Sequence, residues 1–353
     1  MKPWHYLFVY IIPALAFVGL SFGGFWLALA PTTVFVLIPL AELILPAPRD
    51  NADSDEIARR LANPLYDAVI YLAIPVQLGL IGFLLYQVAV GALVGPELLG
   101  AALSIGVTNA GFGINPGHEL GHRAQKHHQV AAKFLLGTTL YAHFFIEHNR
   151  GHHSRVATPE DPATSRRGEW VQAFWFRSMI GGYLSAWELE ASRLASKGRS
   201  PWTWDNEMLR LQVFQAGGLV VAALLFSPLA AAVWLGSGFA AGVLLETINY
   251  IEHYGLVRER NERGRWGKVA PHHSWNSNCI LGRLLTFELT RHSDHHAHPK
   301  RAYSTLRHFE DTPQLPTGYP GLMVLSLCPP LFFAVMDPRL PTPPRADELQ
   351  ATA

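Results

Sequence analysis

Seventeen histidines stand against two cysteines in this chain, and the spacing of nine of them suggests chemistry. His118 and His122 occur in HELGH, and His148, His152 and His153 in EHNRGHH. His253 closes NYIEHYG, and His292, His295 and His296 sit in RHSDHHAHP. Imidazoles three or four residues apart project from one side of a helix, so one helix can offer two ligands to one ion. HELGH alone is ambiguous, because HExxH is also a zinc metalloprotease motif with Glu119 then the general base. A protease needs one further ligand and leaves the other boxes without a task. Nine nitrogens exceed the four that a tetrahedral zinc takes and suit two ions of higher coordination number. Imidazole accepts iron, zinc or copper, so ligand type does not name the metal. Cys279 and Cys328 can build neither a disulfide framework nor a CxxC knuckle.

The elements that must carry these boxes are membrane helices. Of 353 residues, 49% are hydrophobic and 16% charged, against about 25% charged in a typical soluble domain. The net charge of +1 lacks the polybasic signature of a nucleic-acid binder. No Lys or Arg occurs between Lys2 and Arg49, Arg60 and Arg123, or Arg210 and Arg258. A span needs about 20 apolar residues, so each gap holds two. Prolines break the gaps at Ala30-Pro31, Gly95-Pro96 and Ser227-Pro228, which read as turns. The expectation is an all-α integral membrane protein with six spans in three hairpins, at about 5–29, 32–46, 66–94, 97–117, 209–226 and 229–252. The second is short for a span. The chain reads as a single membrane-embedded domain over 1–337, with a disordered tail at 338–353. All Lys and Arg lie outside the hairpins. The positive-inside rule therefore places both termini and the histidine-rich parts, 118–208 and 253–337, in the cytoplasm. No cleavable signal peptide is evident. The shorter apolar stretches 133–147 and 322–336 suit interfacial or re-entrant segments.

The three boxes HxxxH, HxxxHH and HxxHH resemble those of the integral-membrane di-iron superfamily of desaturases, sterol oxidases and hydrocarbon hydroxylases. The finer text, NPGHELGHR, FFIEHNRGHHSRVATPEDPATS, NYIEHYGL, PHHSWNSN, RHSDHHAHP and LPTGYPG, is similar to the alkane 1-monooxygenases. It runs from about residue 115 to 321, and NYIEHYG separates this group from the desaturases. The resemblance implies that His118, His122, His148, His152, His153, His253, His292, His295 and His296 hold two irons. It implies terminal hydroxylation of a medium-chain n-alkane by O2 in a bacterial inner membrane. Two electrons would come from rubredoxin, reduced by an NAD(P)H-dependent rubredoxin reductase. With no paired CxxC motifs, no rubredoxin lies within these residues. The alternatives are another di-iron oxidation (a desaturase, or an aromatic-methyl or terpene hydroxylase), a zinc-dependent intramembrane protease and a metal transporter.

A terminal C–H bond offers acid–base side chains no handle, so such chemistry must belong to the metal. The protein must keep the site dry and aim one methyl group. Gly106, Gly111 and Gly113 on the fourth span could line a channel towards His118, or merely let helices pack closely. Glu246, Asn249, Glu252 and Asp294 are candidates to support the metal ligands, as are Glu119, Glu147 and Asp161, since metal-bound imidazoles usually donate their other N–H. Glu246 lies within the sixth span on the face of His253, where an ionisable group is functional by default; it could brace the centre or relay protons. His272, His273 and His298 read as contacts behind the ligands, His143 as interfacial packing, and His127, His128 and His308 as solvated loop residues. Arg258, Arg260, Arg263, Arg265 and Lys268 follow the sixth span and could dock an acidic electron donor.

Overall fold

The computed structural model describes residues 1–341. Helices dominate them, and the only β pairing is two isolated bridges, Arg260 with Trp266 and Asn276 with Gln314. Six helices are long and apolar enough to cross a membrane: Pro3–Phe22, Gly24–Glu42, Leu65–Ala89, Pro96–Gly121, Glu207–Leu225 and Pro228–His253. The chain is an all-α, multi-pass membrane protein with its histidine clusters at one end of the bundle.

Two turns fall where proline breaks the apolar runs. Gly95 takes φ +54° and Pro96 opens the fourth span. Ser227 accepts a cap from the Ala230 N–H at 3.1 Å, and Pro228 supplies the first helical residue, where its missing N–H costs nothing. The first turn differs from the expected Ala30-Pro31. It lies at Gly23-Gly24, both left-handed (φ +64° and +53°), a conformation glycine adopts without strain. Pro31 stays inside the second span, in a run that passes from 3-10 (Gly24–Ala28) through α (Leu29–Thr32) to π geometry (Thr33–Leu37). Those changes of hydrogen-bond register absorb a proline, and the second span reaches 19 residues. The Glu97 carboxylate accepts from the Gly24 and Val94 N–H groups, tying two turns together at the end away from the histidines.

The fourth and sixth spans form the centre. A Cβ on Gly106 would lie 2.6 Å from that of Ala240, and one on Gly113 would overlap Thr139; both glycines permit close approach. Gly111 differs, with nothing within 4 Å of an added Cβ. The apolar stretch 133–147 is not a span: helix Lys126–Thr138 ends before Leu140, at φ +59°. Likewise 322–336 splits into Tyr319–Ser326 and Pro329–Met336 at the paired prolines. Of the tail read as disordered, 342–353 lies outside the described residues.

Candidate metal centre

The fourth and sixth spans end at Gly121 and His253, delivering HELGH and His253 to one level. EHNRGHH follows the helix Phe144–Ile146 as a π-helical turn, Glu147–His152. Its i→i+5 register sets the His148 and His153 rings edge to face, with Nε2 atoms 3.0 Å apart. The third box forms the short helix His292–Ala297.

All nine boxed histidines converge, and they sort into two groups. His118, His122, His148, His153 and His295 make one; His152, His253, His292 and His296 make the other. Within each group the ligand atoms lie within 4.8 Å of one another. Neighbouring Nε2 atoms are 3.1 Å apart for His118–His295, His118–His122 and His122–His148. They are 3.2 Å apart for His292–His253 and His152–His296. The i, i+4 pairs His118/His122 and His292/His296 each serve one group, as helical spacing predicts. The adjacent residues His152 and His153 serve different groups, and so do His292 and His295, three apart.

Chemically the residues fit a metal. Burial, then the neighbouring rings, hold His148, His153, His295 and His296 well below the ordinary histidine range. Neutral imidazoles keep a lone pair free for a cation. Burial opposes charge on His152 too, but Asp161 more than offsets it and raises the ring. The Asp161 carboxylate lies 2.9 Å from His152 Nδ1, leaving Nε2 to face the centre.

The acids behave differently from one another. Asp161 touches a ligand ring from behind, and Glu252 Oε2 lies 3.2 Å from His292 Nε2. Asp294 pairs instead with His298 and Arg301 and accepts from the Arg307 N–H, so it fastens the third box to the following loop. Glu119 pairs with Arg123 and Glu147 with Arg155. Glu246 accepts from the Tyr141 hydroxyl (2.8 Å), Ser178 Oγ (2.5 Å) and Asn249 Nδ2 (3.1 Å). It lines a water-sized hollow that His148, His152 and Asn249 share.

Several sequence expectations change. His128 and His308 are buried rather than solvated; His128 Nδ1 meets the Tyr71 hydroxyl at 2.7 Å and His308 Nδ1 meets Asn278 at 3.0 Å. The His273 ring accepts from the Ala270 N–H while its backbone stands within hydrogen-bond reach of His253, as expected, whereas His298 bonds Asp294 rather than a boxed ring. Arg258 is buried, donating to the carbonyls of Ser154 and Gly267, whereas Arg260, Arg263, Arg265 and Lys268 are exposed. His127 is exposed as expected but stands on the helix Lys126–Thr138 rather than in a loop, and His143 is buried between Tyr141 and Tyr183.

A cavity of about 110 Å³ runs along the spans to this centre. Its walls are apolar side chains such as Val9, Ile12, Val34, Phe35, Val107 and Leu244, with Gly111 opening one side. At the metal end stand His118 and His148 from the larger group and His292 from the smaller, with Asn249, Glu252 and Tyr319.

Comparison with known proteins agrees with this architecture. The fatty acid desaturase family matches residues 96–324. Alkane 1-monooxygenase 1 of Alcanivorax borkumensis is 41% identical over 318 residues, covering 89% of this chain and 78% of that protein. Alkane 1-monooxygenase of Ectopseudomonas oleovorans is 41% identical, covering 86% and 75% respectively. The hydroxylase component of xylene/toluene monooxygenase from Pseudomonas putida is 29% identical, covering 95% and 88%. With its spans, histidine groups and these relatives, the chain belongs to the alkane 1-monooxygenases within the fatty acid desaturase family.

Proposed function

We propose that this enzyme hydroxylates the terminal methyl of medium-chain n-alkanes to 1-alkanols, using O2 and two electrons from rubredoxin. The observation that carries this is the apolar cavity ending on both histidine groups. Two irons held by the nine boxed histidines would supply O2 activation and the attack on an unactivated C–H bond.

The chain's own residues supply binding, orientation and dryness. An alkane arriving from lipid gains almost nothing by moving between apolar surroundings, so fit rather than hydrophobicity must select it. The cavity walls, Val34 and Phe35 from the second span and Val107 from the fourth, supply that fit and leave only an end of the chain at the metals. Asp161 fixes the His152 tautomer. Glu246 holds Asn249, which lines both the apolar cavity and the small hollow beside it, and would there pass protons. Asp294 holds the His292–Ala297 helix to its loop.

The charge distribution supports an inner-membrane enzyme with termini and metal centre on the cytoplasmic side. Rubredoxin, reduced by its NAD(P)H-dependent reductase, would then dock on the exposed Arg260, Arg263, Arg265 and Lys268. That loop is anchored through Arg258 to the Ser154 carbonyl, beside His153. Incubating the membrane-reconstituted enzyme with octane, O2, rubredoxin, its reductase and NADH tests the reading. The expected product is 1-octanol; absence of alcohol, or an alkene in its place, would overturn it.

A further inference from the structure

We propose that Glu252 is itself a metal ligand, completing the four-histidine group to five donors. The inference rests on the reading that the two histidine groups hold metal, and deepens it. Glu252 Oε2 lies 3.2 Å from His292 Nε2, the spacing that separates the ring nitrogens of one group from each other. The carboxylate therefore stands where another donor of that group would stand.

Among the described residues no lysine or arginine pairs with it. Glu252 is 1% exposed, and its Oε1 is buried without a hydrogen bond. An unpaired carboxylate in such a place costs far more than folding can usually offset. The other acids of this layer are all provided for: Glu119 by Arg123, Glu147 by Arg155, Asp161 by His152, Asp294 by Arg301 and Glu246 by three donors. The Tyr319 hydroxyl, on the same cavity wall, is a neutral donor turned towards it and carries no charge to offset the carboxylate. His292 Nε2 cannot donate to the carboxylate while its lone pair faces a cation. A metal ion reached by both resolves the conflict.

Charge points the same way. The nine imidazoles themselves bring no negative charge to two divalent ions in a dry site, where Coulomb energies are large, and Asp161 stands one ring removed, behind His152. A carboxylate oxygen removes one unit, and mixed imidazole and carboxylate sets suit non-haem iron. The position is fixed by the backbone, because the Glu252 carbonyl accepts from the Trp275 N–H at 2.9 Å, and His253 follows directly.

The test uses the full chain in detergent or nanodiscs, loaded with Fe(II), and follows loss of each iron to a ferrous chelator. In Glu252→Ala one of two irons should leave about tenfold faster or more, while the other keeps its wild-type rate. Asn249→Ala, on the same cavity wall, should retain both. Loading with Co(II) gives a second readout: the visible spectrum of Glu252→Ala, and of the better-folding Glu252→Gln, should shift as a donor is lost or exchanged. Wild-type iron release together with an unchanged cobalt spectrum would overturn the assignment. A wild-type chain that takes up no metal would overturn both this inference and the reading beneath it.

Discussion

The two histidine groups are built from the same residue type but set in different surroundings. In the five-histidine group, His122 and His153 are partly exposed, whereas all four histidines of the other group are buried. The larger group draws on the fourth span, the π turn with the following His153, and His295, its rings meeting mostly edge to face. The smaller one sits under the sixth span, with Asp161 behind His152 and Glu252 beside His292. The loop that carries the exposed arginines follows His253 of the smaller group and is fastened through Arg258 to the Ser154 carbonyl, next to His153 of the larger one. The difference lies in access and support: two rings of the larger group reach the surface, while the buried group is backed by Asp161 and flanked by Glu252. Both touch the alkane cavity, through His118 and His148 on one side and His292 on the other.

The harshest way to break this picture is to remove a ligand. His292→Ala should abolish alcohol formation and lower bound iron, whereas His127→Ala, on an exposed side chain, should leave both unchanged. Full activity in His292→Ala would end the assignment. Asp161→Asn separates the groups more gently. Losing a partner behind a metal-bound imidazole typically costs 10–100-fold in metal affinity or activity, and the loss here should fall on the four-histidine group alone. Mössbauer spectra of the iron-57 enzyme would show whether one site or both respond.

Electron entry gives a smaller effect. Reversing Arg263 and Arg265 to Glu should slow reduction by rubredoxin several-fold and flatten its salt dependence, without changing iron content. Stopped-flow reduction at wild-type rates would remove the docking surface. The smallest change is expected for Glu246→Gln, which keeps the hydrogen-bonded shape around Tyr141, Ser178 and Asn249. A drop of a few-fold with release of hydrogen peroxide fits a proton relay; a wild-type rate without peroxide leaves Glu246 a purely structural group worth about 0.6 kcal/mol per hydrogen bond.

Much of this was legible in the sequence because membranes impose simple rules. Charge-free runs can only be spans, and boxes at helix ends can only meet in one layer. What was not legible depends on backbone register or on distant partners. The turn at Gly23-Gly24 was hidden by the more conspicuous Pro31, although two adjacent glycines were the available signal. The pairing of His148 with His153 rather than with His152 depends on the π turn at Glu147–His152, where α-helical spacing would join His148 to His152. His128 and His308 looked like loop residues because Tyr71 and Asn278, which receive them, lie 57 and 30 residues away. Arg258 looked like one of a basic run, yet burial of its guanidinium against Ser154 makes it a fastener.

The most direct test of the two-group centre is the metal content of the purified, fully loaded chain, with its ligand variants measured alongside. We expect two irons per chain in the wild type, falling towards one in His253→Ala. A single zinc per chain, or two irons retained unchanged in His253→Ala, would contradict the account.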